Sequence, residues 1–105
     1  MKAAAERPLG EATLDRMLKA IADPVRRRIL RLLKQTGCCA IGKKEGMCAC
    51  DIEGQAGVSQ PTVSHHMGIL TGAGLVEAEK VGQWRWYRRN VQALERLARA
   101  LGGEL

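Results

Sequence analysis

The side chains with most chemistry to offer are four cysteines, set as two pairs: Cys38-Cys39 and Cys48-Ala49-Cys50. Thiolates are soft ligands and good nucleophiles, so two neighbouring pairs point to metal capture or thiol redox chemistry. Cys39 lies only nine residues before Cys48, and closing so short a loop costs little entropy. The connecting stretch GCCAIGKKEGM (37–47) carries three glycines, which break any helical pattern, together with Lys43 and Lys44. Two residues apart on a regular helix, Cys48 and Cys50 would point about 200° apart around the axis. They can share a ligand only where the chain is extended or just entering a helix. Asp51 reads as the cap of the next helix, which leaves both cysteines ahead of it, near the positive end of the helix dipole. That field, with the two lysines, favours the thiolate. Four small buried hydrophobes are the rival reading, but a glycine- and lysine-bearing loop hides thiols poorly.

The element that these sulfurs adjoin runs from Asp51 to Gly74, DIEGQAGVSQPTVSHHMGILTGAG. A short helix turns Ile52 and Ala56 inward and stops at Gly57. Ser59 caps a second helix, and Pro61 lies in its first turn, where a missing N–H costs little. Val63, Met67 and Leu70 recur at i, i+4, i+7 as one buried stripe. Gln60, Ser64 and His65 point away from it, with Thr62 at its flank. His66 falls within the stripe and reads as a partly buried, satisfied residue. This is a helix-turn-helix, whose second helix enters the major groove of double-stranded DNA with its N-terminal residues on base edges.

Composition agrees with that partner. The chain has 105 residues, enough for one domain but not for two cores. A net charge of +6 favours a polyanion. No apolar run approaches membrane length, and the start MKAAAERPLG lacks a signal-peptide core, so the expectation is a cytoplasmic protein without a membrane partner. In that compartment thiols stay reduced, which argues against a disulfide framework.

The remaining elements follow from spacing. Residues 1–10 read as an arm. Leu14, Met17, Leu18 and Ile21 form the apolar side of a helix over Glu11–Ala22. Asp23-Pro24 restarts the chain as cap and first helical residue, and the helix to about Gln35 buries Val25, Ile29, Leu32 and Leu33. Its other face holds Arg26, Arg27, Arg28, Arg31 and Lys34, either solvated or on phosphates. Val76–Glu79 and Trp84–Arg89 flank Val81-Gly82-Gln83 as a β-hairpin, a wing over 75–90. Trp84 and Trp86 share its packing face, and Arg85 and Tyr87 share the other. Lys80, Gln83 and Arg85 near the tip are candidates for phosphate or minor-groove contact. A last helix over 91–101 carries Leu94, Leu97, Ala98 and Leu101 on one side. A domain this small cannot bury both terminal stripes alone, and a two-fold homodimer covers them. The expected fold is mainly α with a small β-hairpin wing: a winged helix-turn-helix dimerised through its terminal helices.

SQPTVSHHMGIL (59–70) followed by AGLVEAEKVGQWRWYRRN (73–90) resembles the ArsR/SmtB family of metal-sensing bacterial repressors, over about Leu14 to Asn90. MCACD (47–51) is similar to the thiolate motif that arsenic, cadmium and lead sensors of that family carry before the same helix. The resemblance implies a dimeric repressor that leaves a palindromic operator when a metal or metalloid binds, and no enzyme. Trivalent arsenic and antimony take three thiolates in a pyramid, which Cys48, Cys50 and one of Cys38 or Cys39 would supply. Cd(II), Pb(II) or Zn(II) would use all four sulfurs. This chain departs from the commonest arsenic-sensor pattern, in which a third cysteine follows the CxC pair by three residues; here that position is Glu53. Residues 1–37 also lack the arm cysteines of cadmium and lead sensors, so Cys38-Cys39 stands in for either source. Val91–Leu105 contains neither Asp nor His, which rules out the zinc site that other members build on the last helix. Two alternatives keep the same sulfurs: a repressor that senses oxidant or persulfide through a bridge from Cys38 to Cys48 or Cys50, and a thiol-disulfide enzyme. The latter lacks a βαβ pattern around its cysteines.

Overall fold

The computed structural model describes residues 8–35, 46–82 and 84–105. Helix α1 (Glu11–Ile21) leads into α2 (Pro24–Leu32). A two-residue strand β1 (Met47–Cys48) runs directly into α3 (Ala49–Ala56), which is followed by α4 (Gln60–Gly72). Strands β2 (Val76–Val81) and β3 (Trp84–Arg89) precede α5 (Val91–Arg99), which ends in a π-helical turn over Ala100–Glu104. The fold is a winged helix-turn-helix, mainly α, with a three-stranded antiparallel sheet in the order β1-β3-β2.

Local chemistry sets the helix ends. Asp23 Oδ1 accepts hydrogen bonds from the backbone N–H of Val25 (2.7 Å) and Arg26 (3.2 Å), two donors that α2 cannot satisfy internally. Beyond Leu33 the helical pattern tightens, with Lys34 N bonded to Arg31 O and Gln35 N to Leu32 O, so α2 ends earlier than its apolar spacing suggests. Gly57 ends α3 with φ +71°, a left-handed conformation that glycine adopts without steric cost. Ser59 Oγ accepts from Thr62 N and caps α4.

One core joins these elements. Ile29 from α2, Leu33 at its C-cap, Ile52 from α3, Val63, Met67 and Leu70 from α4, and Leu75 are buried together, and Trp86 of β3 is also fully buried. Leu14 and Met17 close it from α1, and Leu97 from α5. The expected stripes are therefore present, with one change at the last helix. Ala93, Leu97 and Ala100 face inward, Leu94 is half-buried, and Ala98 and Leu101 face outward. Val91 and Leu101 are 46% and 42% exposed, so α5 keeps apolar surface on its outer side. Among the described residues, no helix is long and apolar enough to cross a membrane.

Three further expectations need correction. The basic side of α2 is not uniformly solvated: Arg26 and Arg27 turn back onto α1, where Arg27 Nη1 donates to Ile21 O at 2.7 Å. Carbonyls at the end of α1 draw these two in, while Arg28 and Arg31 stay exposed. Tyr87 is buried on its face of the hairpin, unlike its neighbour Arg85; Met47 of β1 pairs beside it in the sheet. Asp51 is not the cap of α3. The helix begins two residues earlier, and Asp51 is a buried residue of its first turn.

Gly46 lets β1 pair. Its φ is +119°, and its N–H donates to Gln35 O at 3.2 Å. A Cβ there would fall inside the contact radii of Tyr87 O and Trp86 Nε1. Gly46→Ala must therefore strain the backbone and part β1 from β3. We expect it to lower unfolding stability by about 2 kcal/mol, at the centre of the range for such strain. Chemical denaturation measures this, and an unchanged midpoint would show that the strand tolerates a side chain there.

Candidate thiolate centre and nucleic-acid face

Cys48 ends β1 and is also the residue from which α3 starts. Its backbone is extended (φ −80°, ψ 166°), and Ala49 is already helical. The register pairs Met47 with Tyr87 and Cys48 with Trp86, so the first sulfur is anchored to the wing. Cys50 lies in the first turn of α3. Only one of the two thiols is thus carried by regular helix, and the divergence expected on a helical CxC does not arise. The Sγ atoms stand 2.7 Å apart. Both cysteines were expected ahead of the helix; Cys48 is, and Cys50 is not.

Asp51 adds an oxygen that sequence reasoning assigned to capping. Its Oδ2 lies 3.5 Å from Cys48 Sγ, and ligand atoms of Cys48, Cys50 and Asp51 all fall within 4.8 Å of one another. Cys48 and Asp51 are buried, while Cys50 is exposed. The cluster therefore has a closed back and an open front. Two sulfurs and one oxygen suit a soft or borderline ion, with the sulfurs the stronger donors for a thiophilic one. Cys38 and Cys39, the other expected ligands, lie outside the described residues, as do Lys43 and Lys44.

The open front faces the recognition elements. Cys48 and Cys50 line one cleft with Glu53, Gln60, Ser64, Arg85 and Tyr87. Three of the residues expected to meet DNA thus share a space with the thiols. On α4, Gln60, Ser64 and His65 are exposed. Thr62 is half-buried, its Oγ1 2.9 Å from Ser59 Oγ. Lys80 pairs with Arg85 across the hairpin, and both are exposed near its tip, while Gln83 lies outside the described residues. Arg88 is turned to the wing's own carboxylates, 3.1 Å from both Glu77 and Glu79. That leaves Lys80 and Arg85 as the cations near the tip with no carboxylate bonded to them among the described residues. The signal for β1 was weak in the sequence, because two residues show no alternation.

Known proteins resemble this chain over the same region. Residues 23–78 match the family described as bacterial regulatory protein, arsR family. An HTH-type transcriptional regulator of Methanocaldococcus jannaschii is 42% identical over 71 residues, covering 68% of this chain and 71% of that protein. The arsenical resistance operon repressor of Staphylococcus aureus is 38% identical over 82 residues, 78% of this chain and 70% of that one. Among solved structures, a homodimeric winged helix-turn-helix DNA-binding domain from Mycobacterium bovis superposes with a TM-score of 0.66 at 28% identity, covering 89% of this chain and 81% of that one.

The contrast in burial predicts the order of thiol modification. In the reduced, folded protein, Cys50 should react with iodoacetamide before Cys48, because alkylation needs access as well as thiolate. Timed quenching followed by peptide mass spectrometry reads the order. Equal rates would mean that β1 opens as fast as the reagent reacts.

Proposed function

The chain belongs to the arsR family of bacterial regulatory proteins, and on that premise we propose that it represses transcription from a palindromic operator as a homodimer and is released when its thiolates capture trivalent arsenic or antimony. The coarse part of this statement, a transcriptional repressor of the family, follows from the relatives. The dimer, the operator contacts and the inducer are our reading. It assigns Gln60, Thr62, Ser64 and His65 to base edges, and Lys80, Gln83 and Arg85 to the backbone or minor groove. It assigns Cys48, Cys50 and one of Cys38 or Cys39 to the inducer. The apolar outer side of α5, with Val91 and Leu101 exposed, supports a second copy as its cover. Such a repressor works where its DNA is, in the cytoplasm.

The observation that carries the reading is the shared cleft, with the sulfurs on one wall and Gln60, Ser64 and Arg85 on the others. A thiophilic ion supplies bonds that tie thiolates together. Cys48 transmits any such tie to the wing, because β1 is paired to β3. Cys50 transmits it to α3, which packs on α4. Both routes end at elements that must keep a fixed spacing across two half-sites. A differential of about 1.4 kcal/mol per protomer already weakens DNA binding tenfold.

Asp51 favours a second reading. A carboxylate oxygen beside Cys48 suits a borderline divalent ion such as Zn(II) or Cd(II), or Pb(II), better than a purely thiophilic one. The short Sγ–Sγ separation would equally serve a thiol redox or persulfide sensor, which bridges sulfurs with no ion at all. Arsenite titration of the reduced protein on labelled duplex from its own promoter separates these. Release at saturating arsenite, lost in Cys48→Ser and Cys50→Ser, is the expected outcome; undiminished DNA affinity would reject the arsenic reading. Release by Cd(II), or by peroxide, would select the corresponding alternative.

The DNA contacts have their own test. Arg85→Ala should weaken binding to all sequences alike and reduce the salt slope by about one. Gln60→Ala should cost about 1–3 kcal/mol on the cognate site and relax base choice there. If both variants lower affinity with an unchanged salt slope, the assignment of Arg85 to phosphate fails.

A further inference from the structure

One guanidinium ties three chain segments together. Arg26, in the first turn of α2, donates through Nε to Ala20 O at 2.6 Å and through Nη2 to Lys19 O at 3.2 Å. These carbonyls belong to the last turn of α1, beyond the helix's regular ladder; Lys19 O also accepts from Ala22 N–H at 3.3 Å. The remaining arm, Nη1, lies 3.1 Å from Nδ1 of His66 on α4. A guanidinium can only donate, so Nδ1 must carry a lone pair and the proton of the neutral ring sits on Nε2. His66 is buried, and its ring centroid lies 5.4 Å from that of exposed His65, a residue of the proposed base-reading face.

We propose that Arg26 is a positioning residue for the DNA-reading helix and that His66 is its acid-sensitive partner: protonation at Nδ1 breaks the link and loosens α4 from the α1–α2 corner. The inference rests on the reading of α4 as the operator-contacting helix. The chemistry is a single proton addition. A proton on Nδ1 removes the lone pair that Arg26 uses and sets an imidazolium against a guanidinium, two donors and two positive charges. His66 then leaves, and α4 keeps only its apolar stripe to hold it against α1 and α2.

The charges around His66 agree with a neutral ring at ordinary pH. Burial pushes its pKa below the usual histidine value; Asp23 from the α1–α2 corner opposes this, and Arg26 and neighbouring His65 add to it. A histidine whose folded pKa is depressed contributes stability that is present above the usual value near 6.5 and is lost as pH falls below it. The loosened state is therefore an acid state.

The test combines ring and backbone NMR with fluorescence anisotropy on the full chain, between about pH 7.5 and about pH 5. At the upper end, 15N shifts of His66 should show Nδ1 unprotonated and Nε2 bearing the proton. On acidification the backbone amides of Lys19, Ala20 and residues 63–67 should move with the His66 midpoint. His66→Gln, whose amide oxygen still accepts from Arg26, should abolish that coupled movement. Arg26→Met should raise the His66 midpoint and uncouple the α1 amides from it. On labelled promoter duplex, the wild type should lose roughly threefold more affinity across this range than His66→Gln does. The proposal is overturned if His66 titrates without moving the α1 and α4 amides, or if wild type and His66→Gln share one affinity profile while both bind DNA. If the coupled NMR movement appears and no variant binds duplex at any pH, the link stands and the operator reading of α4 is what fails.

Discussion

An extended residue followed at once by a helix is the constraint on which this site depends. Cys48 has strand geometry and Ala49 has helix geometry, so the CxC pair straddles a change of backbone state. Were both sulfurs within α3, the helical screw would carry them to opposite sides and no shared ligand would exist. Were both in a strand, their positions at i and i+2 would put them on one face but further apart along the chain. The junction alone gives the close approach seen here. A strand of two residues cannot maintain itself through its own hydrogen bonds. It persists because Met47 and Cys48 pair with Tyr87 and Trp86 and are buried with them, and because Gly46 leaves room for Trp86.

Much of this architecture is legible in the sequence, because its signals are local. Asp23-Pro24, Gly57, Ser59 with Pro61, and the turn at Gly82 each carry their own stereochemical reason. The buried stripes repeat with helical period. The failures have a common cause, which is that tertiary pairing overrides a local rule. Asp51 looks like a cap because an acidic residue before an apolar one usually is. The sheet holds Cys48 extended, moves the cap there, and turns Asp51 into a buried neighbour of the thiol. Arg26 and Arg27 look solvated because charge runs usually are. The carbonyls of the last turn of α1, which no pattern in α2 announces, draw them in. Tyr87 shares the face of exposed Arg85 in a two-strand hairpin, and the third strand that pairs beside it, with buried Met47, is only two residues long. For the candidate site, Cys48 and Cys50 were legible from type and spacing, and Asp51 was visible but misassigned. The reading on Cys38, Cys39 and Gln83 concerns residues outside those described.

The recognition helix is gripped from two sides by different chemistry. On one side α3 and the wing present sulfur and a carboxylate, beside a cleft that reaches Gln60 and Ser64. On the other, a guanidinium bridges α1 and α4. Between them α4 buries only Val63, His66, Met67 and Leu70 from its thirteen residues. A helix with so narrow a buried stripe gains much of its orientation from its neighbours rather than from its own burial. That makes it a suitable element to regulate. Its position can shift by a few kcal/mol of differential contact without unfolding the core, and DNA affinity depends steeply on position when two such helices must fit one duplex.

The two grips also differ in what they can respond to, and the difference follows from burial. The sulfur site is open through Cys50, so a soft ion or an oxidant reaches it without the fold opening. The Arg26–His66 contact is part-buried beside Asp23, and the accepting ring nitrogen is already taken by the guanidinium. A proton is small enough to enter by local fluctuation and, once bound, reverses the sign of the interaction. In the proposed switch, a sulfur site that strengthens ties and a nitrogen site that breaks one both act on α4. Their free energies add only if the helix moves as a rigid body. Packing of Val63, Met67 and Leu70 against Ile29, Leu33 and Ile52 is what makes it rigid.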